Sequence, residues 1–192
     1  VGFLSDLQYV IRLTKSQGIA RRYLITNGFD GAFTMLGLNM GFYVSNHTDL
    51  NVVFHACLGA AIALAVSGLS SAYISESAER LKSLRELEQA MVADLSGTVH
   101  AQAVKIIPVW VALVNSVSPL IVVIVITAPV WLALANLNPF PDPVATSILV
   151  AFAVLFALGV YAGKIGGTSL FRTGLRTLMI GIAISMLVLL IG

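Results

Sequence analysis

Charge is what this chain has least of. Only 10% of its residues are Asp, Glu, Lys or Arg, whereas 58% are hydrophobic, and the mean hydropathy is +0.93. A water-soluble domain carries about a quarter charged residues, so this composition argues against an ordinary soluble enzyme and for a membrane protein. Cysteine is nearly missing as well: Cys57 stands alone, so no intrachain disulfide staples the fold. The three histidines, His47, His55 and His100, have no ligand spacing and make no metal cluster. A P-loop, an HExxH helix and a nucleophile–histidine–acid set are all absent. The expectation is therefore a non-enzyme with no resident cofactor and no nucleic-acid partner. A leader is not expected in the first twenty residues either, because the charges follow the apolar residues instead of preceding them.

Long apolar runs take the place of the missing charge. Residues 24–44, 52–74, 144–163 and 173–191 each approach or exceed the ~20 apolar residues that cross a bilayer. Residues 104–135 are too long for one straight span and carry Pro108, Pro119 and Pro129, so they are expected to form one broken or tilted helix. The expected fold is all-α: a polytopic membrane domain of five transmembrane helices over residues 23–192. Residues 1–22 precede it, where Phe3, Leu7, Val10 and Ile11 recur at helical spacing and suggest an amphipathic helix on the membrane surface.

The distribution of the few charges orients these spans. Arg12, Lys15, Arg21 and Arg22 precede span one, and Arg80, Lys82, Arg85 and Lys105 fall between spans two and three. Lys164, Arg172 and Arg176 fall between spans four and five, which accounts for all 11 basic residues on one side. The opposite loops hold Asp49 and Asp142 and no cation. The positive-inside rule then places the N-terminus in the cytoplasm and the C-terminus outside. A wrong span count would scatter the charges, so the pattern checks itself.

A helical insert at 76–103 is the one sizeable polar element. Its composition favours a helix as far as Asp94, continuous with span two, until Ser96-Gly97 breaks it. Leu81, Leu84, Leu87, Met91 and Leu95 make an apolar stripe that needs a partner, either the returning segment or a second subunit.

Two acids sit where apolar runs meet polar sequence. Asp30 lies one turn into span one, in NGFDGAFT, and an intramembrane carboxylate must pair, protonate or face water. It either caps the helix or pairs with Arg21 or Arg22 near the cytoplasmic end, or it is an ion ligand or proton carrier. Asn27, Asp30, Gly31, Thr34, Leu38 and Gly41 share one helical face, which is expected to meet other helices. Glu76 follows directly on span two, with Ser67, Ser71 and Ser75 on a stripe before it and Glu79 one turn beyond. Carboxylates with serine oxygens suit a hard or borderline cation such as Mn²⁺ or Fe²⁺. Alternatively this is an ordinary solvated helix with Glu76–Arg80 and Lys82–Glu86 pairs. Gly37-Leu-Asn-Met-Gly41 and Gly159-Val-Tyr-Ala-Gly163 have the spacing of close helix contacts, some of them between subunits.

These residues resemble a known family. Arg22-x5-Gly28-Phe-Asp30-Gly31-x2-Thr34 with Gly41 is similar to the first span of the vacuolar iron transporter family, and Ser71-Ala-Tyr-Ile-Ser75-Glu76 resembles the end of its second. Gly174-Leu-x5-Gly181-Ile-Ala183 looks like its last span. The resemblance implies a homodimer in the lipid bilayer that exports Fe²⁺ or Mn²⁺ from the cytoplasm against protons, in a prokaryotic plasma membrane or a vacuolar membrane. It places Asp30 and Glu76 on the ion path, with Glu79, Asn27, Thr34 and Ser71 as neighbouring ligands. Glu86 and Met91 would be remnants of a cytoplasmic metal-collecting site. The sequence departs from the family at Ala72, where a methionine is usual, and at Ser75, where a glycine is. The competing expectation is a non-transporting scaffold or interaction protein that uses the same fold.

Overall fold

Helix ends in this chain are set by short side chains that satisfy the backbone groups a helix leaves open. Asp49 accepts a hydrogen bond from the Asn51 amide at 2.9 Å and starts the second helix. Asp142 accepts from the amides of Val144 and Ala145 ahead of Pro143, whose fixed φ suits the first helical position. Asn136 closes the long proline-bearing helix in the left-handed region at φ 58, with the Leu137 amide donating to the Leu132 carbonyl at 2.9 Å.

The computed structural model describes residues 17–45, 49–137 and 140–191. Among the described residues the chain is all α-helical, with five helices: α1 (Gln17–Val44), α2 (Leu50–Met91), α3 (Val99–Leu134), α4 (Pro143–Ile165) and α5 (Leu170–Ile191). Four of them, α2 to α5, are long and apolar enough to cross a membrane. α1 is outside that group, with Arg21, Arg22, Asn27, Asp30 and Asn39 along its length.

Several boundaries differ from those expected. Most of the expected surface helix, residues 1–16, lies outside the described residues; residues 17–22 form the first turns of α1 and not a separate element. The polar insert is continuous with span two, as expected, and only its ends differ. α2, 42 residues long in all, runs through it as far as Met91, and α3 starts at Val99, before the expected start of span three. Val92, at φ 49, ends α2. Asp94 then holds the turn by accepting from the Ser96 amide at 2.8 Å, and Glu88 accepts from the Leu95 amide at 3.2 Å. α3 runs unbroken through its three prolines. Each removes one backbone donor, and all three are buried.

The helices contribute to two compact units: Val1–Leu24 with Ala65–Val117, and Ile25–Leu64 with Ser118–Gly192. The first has a small core of Ala72, Ala103, Ile107, Val111 and Ala112, with Tyr23 and Trp110 at its edge. The second is larger and is centred on Met35, Leu36, Val53, Ile126, Val130 and Leu155, each fully buried. Within it α4 and α5 approach most closely. A Cβ at Gly159 would lie 2.5 Å from Thr177 Oγ1 and 2.9 Å from Gly174 Cα, so only glycine fits. The closeness lets Thr177 donate a hydrogen bond across to the Leu155 carbonyl at 2.9 Å. Gly159 and Gly163 thus serve packing within the chain. A Cβ at Gly37 or Gly41, by contrast, would meet nothing within 4 Å among the described residues.

Candidate functional site

In the smaller unit, residues four apart on α2 (Gly68, Ala72, Glu76 and Arg80) form one stripe. The first two are small, and that decides the geometry. Gly68 lets Asn115 of α3 come close enough for its amide to donate to the Gly68 carbonyl at 2.6 Å. The two helices run antiparallel, so each turn along α2 from Gly68 meets a turn back along α3 from Asn115. Ala72 falls level with Val111, Glu76 with Ile107 and Arg80 with Ala103. All of these α3 residues are buried. Glu76 is therefore carried into apolar surroundings and is only 7% exposed. Arg80 follows it, with Nε 3.6 Å from Glu76 Oε2. At that separation the pair is an ion pair and not a short hydrogen bond. The hydroxyls of Tyr23 and Ser75 lie 3.4 Å apart beside it.

The surrounding candidates divide. Glu79 is exposed while Glu76 is buried, because a three-residue step turns the helix away from the packed stripe; the two do not form one carboxylate site. Ser71 is exposed, and its hydroxyl donates to the Gly68 carbonyl at 3.4 Å. Glu86 is exposed and 3.8 Å from Lys82, as expected for a solvated helix face, and Met91 is exposed at the end of α2. Leu84 and Leu87 of the leucine stripe share a cavity with Ala103 and Val104, so the returning segment provides at least part of their partner. His55 is exposed and donates from Nδ1 to the Asn51 carbonyl at 2.7 Å, a local structural bond; His47 lies outside the described residues.

Asp30 belongs to the larger unit and is exposed on α1. Among the described residues it enters no ion pair, so the expected pairing with Arg21 or Arg22 is not formed. The face expected to meet other helices is not the packed one. Of Asn27, Asp30, Gly31, Thr34, Leu38 and Gly41, only Gly31 is buried, and it lies against the Pro119 backbone. The packed stripe is Gly28, Ala32, Met35, Leu36, Asn39 and Met40. It prevails because it carries more apolar volume, and burial free energy scales with apolar area.

One feature of that stripe was not anticipated. Asn39 is fully buried, donates from Nδ2 to the Met35 carbonyl at 2.8 Å, and has no partner for Oδ1 among the described residues. Ser147 of α4 is fully buried with its hydroxyl likewise unpartnered. Gly28 touches Leu158, and Gly31 touches Pro119. Stepping along the antiparallel α4 and the parallel α3 therefore places Ser147 and Thr127 near the depth of Asn39. Thr127 is buried too, and its hydroxyl is returned to the Val123 carbonyl at 2.7 Å. Each of the three is one polar residue among several in its run, and only the packing places them at a similar depth.

Among the described residues no three His, Cys, Asp or Glu side chains gather as a metal site. The chemistry present is a buried carboxylate beside a guanidinium, and an exposed carboxylate on an otherwise sparsely charged helix. No family model matches this chain. It is 24% identical over 170 residues to the uncharacterized protein MJ0645 of Methanocaldococcus jannaschii, and the similarity covers 86% of this chain and 85% of that protein. The likeness to this archaeal protein thus extends over nearly the whole of both chains and is not confined to one motif.

Proposed function

We propose that this protein is a five-span, homodimeric membrane transporter that moves a divalent transition-metal ion, Fe²⁺ or Mn²⁺, out of the cytoplasm in exchange for protons. Glu76 carries the reading: an acid at the end of a long apolar run, 7% exposed, with its guanidinium partner held at 3.6 Å. Acids inside or bordering a span are functional by default, because burying one costs several kcal/mol unless it pairs, protonates or faces water. A cation and a proton compete for the same carboxylate oxygens, and Arg80 is a third competitor that holds the site in the absence of both. Asp30, exposed on α1, is a separate acid on the proposed ion path, with Thr34 one turn away on the same helix and Asn27 one turn before it. The distribution of the 11 basic residues supports a reading of five spans with the N-terminus inside, α1 being the first of them.

The test is uptake of Fe²⁺ or Mn²⁺ into proteoliposomes, followed with an internal fluorescent reporter under an imposed pH gradient. Glu76→Gln and Asp30→Asn are expected to abolish uptake while the protein still inserts. Uptake that persists in both variants sinks the assignment.

A second reading, a non-transporting scaffold, is favoured by two specific observations. Ala72 stands where the resembling family has a soft methionine ligand, and no three-residue metal cluster exists among the described residues. Metal-titrated melting separates the two, since a ligand of the folded state raises the melting temperature and a scaffold gains nothing.

A further inference from the structure

A cavity of about 190 Å³ lies between the polar extension of α2 and the first turns of α3, within the smaller unit. That is several times the ~30 Å³ one water occupies. Its polar wall is Arg80, Ser83 and His100, and its apolar wall includes Leu84, Leu87 and Ala103. Among the described residues no carboxylate lines it. His100 is the second residue of α3, so the positive end of that 36-residue helix adds to the guanidinium.

Its depth is fixed by the apolar runs. The apolar stretch of α2 ends at Ile74, less than two turns before Arg80, and that of α3 begins at Val104, beside Lys105. The Arg80–Val104 end of the cavity is thus at the level where a bilayer's hydrocarbon gives way to its phosphates, and its Ser83–Leu87 end reaches further outward, on the side where the five-span reading gathers all 11 basic residues. Basic pockets between helices at that level suit anionic headgroups.

We infer that this cavity binds a phosphate group, with Arg80 as the principal ligand, Ser83 and His100 as further donors, and the apolar wall receiving the carbons next to the phosphate. The depth favours the headgroup of an anionic phospholipid over free phosphate. Arg80 is also the partner of Glu76, so a phosphate on Arg80 loosens its hold on that carboxylate. Resting on the metal-transport reading, an anionic lipid then makes Glu76 more available to a cation.

The experiment is thermal melting of the full chain in neutral detergent, titrated separately with phosphatidylglycerol, phosphatidylcholine and inorganic phosphate. Phosphatidylglycerol is expected to raise the melting temperature where phosphatidylcholine does not. Ser83→Ala with His100→Ala, both exposed positions, should weaken that response about tenfold without changing the lipid-free melting temperature, since charge-assisted hydrogen bonds are lost. Arg80→Gln should remove it, and Arg80→Lys should restore part of it while keeping a cation beside Glu76. An equal shift with inorganic phosphate, lost in the same variants, overturns the lipid headgroup and leaves a soluble phosphate as ligand. Equal responses to the two lipids, or an unchanged response in the Ser83/His100 variant, overturn the site. None of these readouts needs metal, so they stand or fall separately from transport. The coupling is read afterwards, as tighter Mn²⁺ binding in phosphatidylglycerol than in phosphatidylcholine.

Discussion

The packed flank of α2 around Glu76 and the open flank of α1 around Asp30 begin from similar sequence: an acid with glycine and serine or threonine nearby, at the edge of an apolar run. They end in opposite environments. On α2, Gly68 and Ala72 lie on the same stripe as Glu76, so the helix approach they permit carries the acid inward. On α1, the stripe that packs is Ala32, Met35, Leu36 and Asn39, and Asp30 lies on another side with Gly37 and Gly41 open beside it. A polar residue's burial follows from the residues four positions away, more than from its own chemistry.

The sharpest way to break that contrast is to truncate both acids. Glu76→Ala removes an ion-pair partner of the largely buried Arg80 and should cost about 3 kcal/mol. Asp30→Ala should stay within about 0.5 kcal/mol, as surface changes do. Denaturation of both variants in detergent checks this, and equal losses would erase the distinction. The glycines give the next largest effect. Gly68→Val forces a side chain towards Asn115, whose Nδ2 would already be 3.3 Å from a Cβ, and should cost about 1–3 kcal/mol. Gly37→Ala should be neutral or stabilise by up to about 1 kcal/mol through helix propensity. Gly41→Leu tests what covers the open flank: in the proposed homodimer it should weaken association in sedimentation while each subunit melts as before. A smaller effect is expected at Asn39. Replacing an unpartnered buried amide by an apolar side chain of similar size removes a desolvation penalty, so Asn39→Leu should be neutral or stabilising, within about 1 kcal/mol. If it also impaired transport, the buried polar layer would belong to the ion path.

Much of the frame was legible without coordinates. The apolar runs are helices, the Glu76–Arg80 and Lys82–Glu86 pairs are present at their i,i+4 spacing, and the helix of span two does continue through the polar insert. Asp49 and Asp142 were legible as loop residues but not as caps; a cap is visible only where the helix boundary is known to the residue. The site was less legible. A stripe of small residues on α1 competed with a stripe of larger ones, and periodicity proposes both faces without choosing between them. Glu79 illustrates the same gap, since one turn of separation looks like neighbourhood in sequence, yet Glu76 and Glu79 differ in exposure because only one is on the packed side.

Sequence by itself determined the helical class and the length of the apolar runs, because these follow from local composition and from the cost of burying charge. Tertiary structure decided which face of each helix is buried, that Glu76 is held against Arg80 inside a packed stripe while Asp30 is not, and that Asn39, Thr127 and Ser147 share a depth. Those outcomes depend on the shape of neighbouring helices. Close packing rewards whichever combination of faces fills space best, and no single helix encodes that combination.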